Sequence, residues 1–509
     1  MEKLNKIFKT SEIAVIDQYT IEHEPIESID LMERAARIFT KNLLKKFSHY
    51  RKFAVVAGWG NNGGDGYAIA RLLKQAGKEA EVFCLRTGSR LSPDCELNRK
   101  RWEGTLTEIT AGDAFCPDVE ALIIDALFGS GLNRKVSGPV AGLIRKINAL
   151  PNRVVAVDIP SGLMGEDNSA NDRDAIVRAD VTFTFQSPKL AFMLAENYAY
   201  VGEWYVLDIG LHPEALEQTL TLYYYLTPGR VANLLPLSGK FDHKGTNGHG
   251  LLIAGSYGMM GAAILASRAA VRSGIGLLTC HVPRKGNDVL QISVPDVLVE
   301  RDEKDEWFSG AGISGRYQAV AAGPGLGTQP ETVAGLRKLL TEWRGLTILD
   351  ADALNIISKH REMLELLHEG CILTPHPKEF ERLSGKSEND FERLNKLSNF
   401  ASHYRVSVVL KGAHTVIATP QGECYFNTSG NPGLAKGGSG DVLTGVLLAL
   451  GANGMRPERA AMLGVFAHGL AGDLLAEEKG ERGICATELA GALGKAWKEL
   501  ELKTKIGKI

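Results

Sequence analysis

The sequence has few cysteines and no cysteine pair. Its seven cysteines are scattered along the chain: Cys84, Cys95, Cys116, Cys280, Cys371, Cys424 and Cys485. An odd number without a Cys-x-x-Cys motif argues against a disulfide framework and against a zinc cluster, and it is typical of a reducing cytoplasm. No set of His, Cys and Asp residues has the spacing of a transition-metal site either.

The sequence also lacks an excess of either charge and any long apolar run. Lys and Arg number 58, Asp and Glu number 60, and the net charge is −2, so no basic surface is expected for nucleic acid or an anionic membrane. No run of about 18 uncharged apolar residues predicts a membrane span. Acids at Glu2, Glu12 and Asp17 do not fit a signal peptide. We therefore expect a soluble cytoplasmic protein without nucleic-acid or membrane partners.

The chain is long enough for more than one domain. It has 509 residues, of which 44% are hydrophobic and 23% charged, as in globular proteins of about two to four domains. The periodic pattern is lost between residues 212 and 237, where an aromatic run is followed by proline and glycine. We place the boundary there, which gives domains 1–220 and 221–509.

The first half predicts a parallel sheet with a glycine-rich turn. The apolar run 53–57 precedes Asn61-Asn62-Gly63-Gly64-Asp65, and an amphipathic helix and the run 80–85 follow. This order forms a βαβ unit, which binds ligands at the carboxyl ends of its strands. Glycines permit close approach to a phosphate, and asparagines tolerate unusual backbone angles and offer side-chain amides. The pattern indicates a nucleotide site; a purely structural tight turn is the alternative.

Acids stand at the ends of two further apolar runs in the first half. These acids are Asp125 and Asp158. A single acid in such a position is as typical of a helix cap as of an active site. Together with Asp65 they favour a Rossmann-like active site at one edge of the sheet.

The second half repeats the pattern of apolar runs that end in polar residues. Such runs precede Gly323-Pro324-Gly325-Leu326-Gly327, Thr374-Pro375-His376 and Lys411-Gly412, which favours another mostly parallel sheet. Lys411 is a candidate phosphate contact, because lysine supplies a mobile point charge. His376 fits either a rigid turn residue or a substrate contact, and His414 fits an ordinary partly exposed histidine.

The most informative stretch runs from Gly437 to Asp441. Three glycines and a serine precede the acid, and an apolar run after it predicts a helix. Glycine N–H groups and the start of a helix attract phosphate. A carboxylate beside that phosphate is placed to remove a proton from an attacking hydroxyl. The alternative is a glycine-rich turn in which Asp441 only caps the helix.

Taken together, these motifs resemble those of the bifunctional NAD(P)H-hydrate repair enzymes over residues 10–500. In the first half the resemblance rests on Asn61-Asn62-Gly63-Gly64-Asp65-Gly66, Asp125-Ala126-Leu127-Phe128-Gly129 and Asp158-Ile159-Pro160-Ser161-Gly162. In the second half it rests on Lys244-Gly245, Gly323-Pro324-Gly325-Leu326-Gly327, Thr374-Pro375-His376, Lys411-Gly412 and the stretch that ends at Asp441. In that family an N-terminal epimerase is fused to a C-terminal dehydratase.

For the first domain, the resemblance implies a Rossmann-like three-layer fold that interconverts the R and S forms of hydrated NADH and NADPH. It implies that the hydrate is bound by Asn61, Asn62, Gly63, Gly64, Asp65, Gly129, Ser130, Gly131, Leu132, Asn133, Arg134, Lys135 and Asp158. It implies a potassium ion at Asn62, Asp125 and Ser161. Asp158 is then the leading acid/base and Asp65 the second, because inversion needs proton transfer to and from the departing hydroxyl.

For the second domain, the resemblance implies a ribokinase-like fold that dehydrates the S form to NAD(P)H at the expense of ADP or ATP. The implied hydrate contacts are Gly325, His376 and Asp441. The implied nucleotide contacts are Lys411, Gly412, Ala413, His414, Thr415 and Gly440. Asp441 would deprotonate the ring hydroxyl as it attacks the terminal phosphate, with magnesium bridging the phosphates. We also expect a homo-oligomer.

Two other functions are compatible with the residues alone. A ribokinase-type small-molecule kinase fused to a nucleotide-binding domain would use the same Asp441 and glycine pocket, but its product would be a stable phosphorylated molecule. A catalytically silent nucleotide-binding protein would have no chemical need of Asp158 or Asp441. The epimerase-like first half favours repair over a kinase, and the presence of Asp158 and Asp441 argues against a silent protein.

Overall fold

The computed structural model describes residues 5–85, 90–110, 112–236, 239–312 and 315–506. The chain forms two compact units. The first comprises residues 5–223 together with Asn389–Phe391, and the second comprises Tyr224–Glu388 and residues 392–506. The boundary predicted between residues 220 and 221 lies close to this division.

The first unit is an α/β structure with eight strands and seven helices among its described residues. The strands are β1 (Lys6–Ile7), β2 (Lys52–Ala57), β3 (Glu79–Leu85), β4 (Thr105–Ile109), β5 (Leu122–Ala126), β6 (Val154–Val157), β7 (Val181–Phe185) and β8 (Glu203–Leu207). The helices are α1 (Thr10–His23), α2 (Ser28–Lys46), α3 (Asn61–Gln75), α4 (Pro93–Arg101), α5 (Gly138–Ala149), α6 (Tyr198–Val201) and α7 (Pro213–Gln218).

Seven of these strands form one parallel sheet in the order β4-β3-β2-β5-β6-β7-β8. Neighbouring residues of a strand point to opposite faces of the sheet. Val55 and Ile124 pack with helices α2 and α3, whereas Val56 and Ile123 pack with α5. Because both faces are covered, the strands are apolar throughout, as in doubly wound sheets. The predicted Rossmann-like three-layer fold is confirmed.

The second unit has ten strands and ten helices among its described residues. The strands are β9 (Tyr223–Tyr225), β10 (His249–Ile253), β11 (Leu277–Val282), β12 (Leu298–Arg301), β13 (Ala319–Ala322), β14 (Leu346–Leu349), β15 (Cys371–Leu373), β16 (Ser407–Leu410), β17 (Val416–Ala418) and β18 (Cys424–Phe426). The helices are α8 (Pro228–Ala232), α9 (Met260–Arg272), α10 (Asn287–Ser293), α11 (Pro330–Glu342), α12 (Asp352–Lys359), α13 (Pro377–Ser384), α14 (Asp390–Tyr404), α15 (Ser439–Ala452), α16 (Pro457–Lys479) and α17 (Ala486–Ile506).

The sheet of the second unit is mostly parallel, as predicted, and has an antiparallel end that the sequence analysis missed. Its strand order is β9-β18-β17-β16-β15-β14-β13-β10-β11-β12. Strands β10 to β16 pair in parallel, whereas β16, β17 and β18 pair antiparallel. Helix α15 is buried from Val442 to Ala452 and packs among α9, α16 and the sheet. This position fixes the glycine-rich start of α15 at the carboxyl ends of the strands.

The two glycine-rich stretches begin their helices earlier than expected. Helix α3 starts at Asn61 and helix α15 at Ser439, so most of each predicted loop is the first turn of a helix. N–H groups in a first turn have no partner within the helix and remain available to a ligand. The correction therefore strengthens the case for anion binding at both places.

One helix within the described residues has the length and composition of a membrane span. This helix is α16, but 67% of its most apolar 18-residue window is buried inside the protein. Its apolar side chains belong to the core of the second unit. We therefore interpret α16 as a core helix, which is apolar all round for that reason.

Two candidate active sites

The first unit has a cavity of about 890 Å³ at the carboxyl ends of its parallel strands, within the size range of small-molecule sites. Most of the residues predicted to bind the hydrate line it: Asn61, Asn62, Asp65, Gly129, Ser130, Gly131, Leu132, Asn133, Arg134, Lys135 and Asp158. Trp59 and Phe128, whose rings meet edge to face, line it as well. The cavity therefore offers both polar and aromatic contacts to a ligand.

Gly63 and Gly64 do not line this cavity, although the resemblance implied that they contact the substrate. A Cβ at Gly63 would lie 2.1 Å from the carbonyl oxygen of Gly58, and a Cβ at Gly64 would lie 2.8 Å from Sδ of Met32. The Gly58 backbone leaves no room for a side chain at Gly63, whereas at Gly64 the end of the Met32 side chain would have to move. The two glycines therefore permit helix α3 to pack closely, while Asn61, Asn62 and Asp65 face the ligand space.

Asp158 follows strand β6 in a left-handed conformation, with a φ of 66°. Its Oδ1 accepts hydrogen bonds from Nζ of Lys189 at 2.7 Å, from the backbone N–H of Phe185 at 3.1 Å and from the Thr184 hydroxyl at 3.2 Å. The Lys189 side chain is 1% exposed. Since all three donors contact Oδ1, Oδ2 is left without a partner among the described residues and can contact a ligand.

Two further carboxyl groups line the same cavity without a hydrogen bond to any described residue. Burial, followed by the nearby Asp158 and Asp17, raises the pKa of Asp65 well above its ordinary value. Burial and Asp158 raise the pKa of Asp17 to about 6, against the opposing effect of Lys189. Three carboxyl groups thus lie close to one another, and Lys189 acts on two of them, Asp158 and Asp17; such a cluster is typical of acid/base sites.

The three residues predicted to hold potassium come together around one carbonyl group. Nδ2 of Asn62 donates to the carbonyl oxygen of Phe128 at 2.8 Å, and the Ser161 hydroxyl approaches that oxygen at 3.3 Å. The same hydroxyl donates to Oδ1 of Asp125 at 2.6 Å. Asp125 is fully buried and has no cationic partner in the described part of the chain. Burial raises its pKa to about 6.

This oxygen-rich group fits a monovalent cation. A buried carboxylate needs a positive charge nearby, and hydroxyl, carbonyl and carboxylate oxygens are suitable ligands for a hard cation. The chemistry of the donor set thus agrees with a potassium ion at Asn62, Asp125 and Ser161. The Phe128 carbonyl is a further candidate ligand that the motif did not indicate.

The second candidate site surrounds the start of helix α15. Gly438 has a φ of 91°, and a Cβ there would lie 2.6 Å from Leu265, so this turn requires glycine. Asp441 is the third residue of the helix, and its carboxylate accepts no hydrogen bond within the described residues. It therefore does not act as a cap. Burial and the neighbouring Asp350 raise its pKa to about 6, although Lys411 opposes this.

Asp350, at the end of strand β14, organises this second site. Its Oδ1 accepts from Nζ of Lys411 at 2.9 Å, and its Oδ2 accepts from the Thr444 hydroxyl of α15 at 2.8 Å. Burial alone would lower the pKa of Lys411, but Asp350 holds it above its ordinary value. Gly440 lies beside this pair: a Cβ there would be 3.4 Å from Nζ of Lys411. Lys411 and the glycine-rich turn are thus neighbours.

His376 has a structural role in addition to any contact with a ligand. Its Nδ1 accepts from the N–H groups of Lys378 at 3.2 Å and Glu379 at 3.3 Å, which caps helix α13. The side chain is 45% exposed, and Glu379, which is buried, lies 4.0 Å from Lys411. Both alternatives for His376 therefore remain compatible with its position. Glu379 is a buried member of the cluster, and its Oε2 accepts from the His376 N–H at 2.8 Å, so it also caps helix α13.

The other predicted contacts of the second site lie in turns. Gly412 and Thr415 form a turn in which the Thr415 hydroxyl donates to the Gly412 carbonyl at 2.8 Å. The ring Nδ1 of His414 contacts the carbonyl of Asn427 at 2.8 Å, and burial lowers the histidine's pKa. His414 is thus a packed residue. Gly325, with a φ of 59°, lies against the backbone of Met259.

Similarity to known proteins extends over both units. Residues 28–191 match the family model for the YjeF-related protein N-terminus, and residues 250–495 match that for NAD(P)H-hydrate dehydratase. The bifunctional NAD(P)H-hydrate repair enzyme of Moorella thermoacetica is 33% identical over 515 residues, with 96% of each chain covered. The chain belongs to the bifunctional NAD(P)H-hydrate repair enzymes. The predicted membership of this family is therefore confirmed.

Solved structures are similar to the second half of this repair enzyme. A ribokinase-like superfamily protein from Enterococcus faecalis is 25% identical and has a TM-score of 0.50. The match covers 56% of this chain and 98% of that one. An ADP/ATP-dependent NAD(P)H-hydrate dehydratase from Bacillus subtilis, co-crystallised with ATP and Mg²⁺, is 34% identical over 54% of this chain and 98% of that one, with a TM-score of 0.49. The ribokinase-like fold predicted for the second domain is confirmed.

Sequence reasoning missed three charged residues in the two sites of this repair enzyme: Asp17, Lys189 and Asp350. Asp350 directly follows an apolar run, so the rule that led to Asp125 and Asp158 was sufficient to find it. Asp17 lies on one helical face with Thr10, Ile13 and Ala14, but nothing in the sequence identified that face as part of a cavity. Lys189 belongs to a loop, where its contact with Asp158 has no sequence signal.

Proposed function

We propose that the chain repairs hydrated NADH and NADPH at two active sites, one in each unit. The first interconverts the R and S forms of the hydrate. The second removes water from the S form at the expense of ADP or ATP. The single observation that carries the proposal is the family relationship across 96% of the chain. Each site also has a buried aspartate that pairs with a lysine, beside an aspartate that has no hydrogen bond to any described residue.

In the epimerase site, Asp158 is the proposed leading acid/base and Asp65 an additional one. Oδ2 of Asp158 is available to the hydroxyl of the hydrate, while Lys189, Thr184 and the Phe185 N–H hold Oδ1. The loop from Gly129 to Lys135 lines the cavity and adds two cationic side chains, which suit the phosphates of a dinucleotide. Gly63 and Gly64 support the site through close packing.

Asn62, Asp125 and Ser161 are the proposed potassium ligands. Potassium, when bound, would neutralise the buried Asp125 carboxylate and fix the turn between Leu127 and Gly129, which lines the cavity. Ser161 connects Asp125 with this turn, because its N–H donates to Oδ2 of Asp125 at 2.7 Å and its hydroxyl accepts from the Phe128 N–H at 2.9 Å. These residues thus position the substrate loop and take no part in proton transfer.

In the dehydratase site, Asp441 is the proposed base that removes the proton from the ring hydroxyl as it attacks the terminal phosphate. A base with a pKa of about 6 is deprotonated at neutral pH and still accepts a proton readily. The N–H groups from Gly437 to Gly440 would stabilise charge on the transferred phosphoryl group. Phosphate then leaves from the ring carbon while the adjacent carbon loses a proton to solvent, and the electron pair of that C–H bond restores the C=C bond of the dihydronicotinamide.

The nucleotide is proposed to bind at Lys411, Gly412, Ala413, His414, Thr415 and Gly440, and the hydrate at Gly325 and His376. Magnesium would neutralise phosphate charge. Within the described residues no group of three or more His, Cys, Asp or Glu forms a metal site, so magnesium would be carried by the nucleotide phosphates. We also propose a cytoplasmic homo-oligomer that binds neither nucleic acid nor membrane. The near-neutral net charge and the buried α16 support the expectation that it has no nucleic-acid or membrane partner.

The proposal is tested with purified R and S hydrates, each incubated with and without ADP or ATP. Dihydronicotinamide absorbance should return from both epimers when the nucleotide is present, and free phosphate should appear in equal amount. Without the nucleotide, the epimers should interconvert without a return of absorbance. A stable phosphorylated product would indicate a kinase instead, and no change of any substrate would indicate a silent binding protein.

A further inference from the structure

Helix α1 contributes one complete face to the epimerase cavity. Thr10, Ile13, Ala14 and Asp17, which follow the i, i+3, i+4, i+7 pattern of a helix face, all line the cavity. This helix precedes the segment that matches the family model, which starts at residue 28. The cavity therefore has a wall that lies outside the matched segment, and that wall has one ionisable group, Asp17.

The position of α1 is fixed by contacts that do not involve Asp17. Ile16, on the neighbouring face, packs in a cluster with Leu31 and Leu211. The backbone N–H of Thr10 donates to Glu166 at 2.6 Å, and the N–H of His212 donates to the Thr20 hydroxyl at 2.9 Å. Because the helix is held at both ends and along one face, the Asp17 carboxyl group is not needed to hold it.

The carboxyl group of Asp17 makes no hydrogen bond with any described residue, yet it is close enough to Asp158 and Lys189 for their charges to act on it. The groups that face it in the cavity are Asp158, Lys189 and Asp65, and the same cavity is lined by Arg134 and Lys135. A partly buried carboxyl group in the wall of a substrate cavity, with no hydrogen bond to any described residue, is available for the substrate.

Inversion of the hydrate needs proton transfer on both faces of the ring. The hydroxyl leaves the carbon beside the ring nitrogen as water: an acid supplies the proton, the C–O bond breaks, and the nitrogen lone pair forms a C=N bond. Water then adds to the opposite face, a base takes its proton, and the electron pair returns to nitrogen. No proton is consumed overall. One carboxyl group held at Oδ1 reaches one face only, so the second face needs another group.

We propose, on the basis of the proposed epimerase function, that Asp17 is the proton-transfer group for the second face of the ring. Asp158 acts from the carboxyl edge of the sheet through Oδ2, and Asp17 acts from the wall formed by α1. In one direction of the reaction one of the two groups protonates the leaving hydroxyl and the other takes the proton of the incoming water. In the reverse direction the two groups exchange these roles.

The test measures two processes in water enriched in ¹⁸O: interconversion of the epimers and entry of solvent oxygen into the hydrate. Asp17→Asn should slow interconversion at least about 100-fold, the typical contribution of a general acid/base. One epimer should still exchange its oxygen without inversion, because Asp158 still serves its own face. Asp17→Glu should recover part of the rate. Glu22→Gln, an exposed acid on the same helix, should behave as wild type.

Three results would overturn the inference. The first is interconversion by Asp17→Asn within about threefold of wild type. The second is equal loss of inversion and of oxygen exchange from both epimers, which would assign Asp17 a structural role. The third is an unfolded first unit in both Asp17→Asn and Asp17→Ser. If the wild-type protein does not interconvert the epimers, the epimerase function itself is refuted. If the wild type is active and Asp17→Asn is equally active, only the proposed role of Asp17 is refuted.

Discussion

Both active sites contain an aspartate–lysine ion pair, but the aspartate of the pair has a different role in each. Each has a buried aspartate that accepts from a lysine, Asp158 with Lys189 at 2.7 Å and Asp350 with Lys411 at 2.9 Å. In the first site all donors meet at Oδ1 of Asp158, so Oδ2 remains available. In the second site Oδ1 of Asp350 contacts Lys411 and Oδ2 contacts Thr444. An aspartate with both oxygens engaged is a scaffold, and a neighbour must act as the base.

The largest expected effect is at the unpaired aspartate of the second site. Asp441→Asn should lower dehydration of the S hydrate about 10³-fold or more, because the neutral amide cannot accept the hydroxyl proton. Epimer interconversion and nucleotide binding should persist. The measurement is the return of dihydronicotinamide absorbance, with nucleotide affinity by calorimetry.

Asp288→Asn is the matched control, since Asp288 is an exposed acid in the first turn of α10. If Asp441 were only a cap, the two variants would lose similar stability and neither would lose activity. That outcome would exclude Asp441 as the base.

The next effect is at the paired aspartate of the first site. Asp158→Asn should reduce interconversion of the epimers about 10²- to 10³-fold, while dehydration of the S hydrate continues at the wild-type rate. Chiral chromatography of the two epimers measures the first rate and absorbance the second. A simultaneous loss of both activities would contradict two separate sites.

Asp350→Asn tests the scaffold role in the second site. Removing the negative charge leaves the partly buried Lys411 with the more distant Glu379, at 4.0 Å, in place of its closest ion-pair partner, so the second unit should lose about 3 kcal/mol of unfolding free energy. The loss of dehydratase activity in the folded fraction should be smaller than for Asp441→Asn. Urea denaturation measures the stability, with the exposed Glu362→Gln as the control that should change nothing. Loss of activity as large as that of Asp441→Asn would make Asp350 the better candidate for the base.

A cation should stabilise the first unit in a pH-dependent manner. Burial raises the pKa of Asp125 to about 6 from about 4 in the unfolded chain. The raised pKa contributes stability that is fully present below about pH 4 and is lost as the pH rises through 6. Potassium should restore this stability at pH 7.5, with an increase in Tm of about 4 °C, and should have little effect at pH 5.

Thermal unfolding in potassium or choline chloride measures this effect, and Asp125→Asn should abolish it. Equal Tm values in both salts at pH 7.5 would argue against the site.

The smallest effect is expected at His376. Asparagine is a good N-cap residue, so His376→Asn should preserve helix α13 while removing the imidazole from the ligand space. The KM for the hydrate should rise about tenfold, a change of about 1.4 kcal/mol, with kcat nearly unchanged. Exposed His403 provides the control, His403→Asn. An unchanged KM would leave His376 with its capping role alone.

The sheets, and the edges at which acids and glycines follow the strands, were predictable because an apolar run that ends in an acid or glycine is a local signal in the sequence. The apolar runs 53–57 and 80–85 of the first half, for example, lie within strands β2 (Lys52–Ala57) and β3 (Glu79–Leu85). The short strands β17 and β18 were not predicted, since each has only three residues. The early starts of α3 and α15 were also missed, because glycine disfavours helices and tertiary packing overrides that preference here.

The candidate sites were predictable only in part. Motif residues such as Asn62, Asp125 and Ser161 do come together, because parallel strands bring their carboxyl ends to one edge. Lys189 and Asp17 come from a loop and from an N-terminal helix, and only tertiary packing brings them to Asp158. Gly63 illustrates the reverse case: its motif position implied ligand contact, but the neighbouring backbone explains the glycine.

The most direct test of the central claim is to mix two impaired variants. We expect Asp158→Asn to supply the S epimer, and Asp441→Asn to dehydrate it, only at strongly reduced rates, so either variant alone should convert the R hydrate to NADH far more slowly than the wild type. Because the S epimer can diffuse from one protein to the other, an equimolar mixture with ADP or ATP should recover dihydronicotinamide absorbance from the R hydrate. Failure of the mixture to exceed either variant alone would contradict two independent active sites.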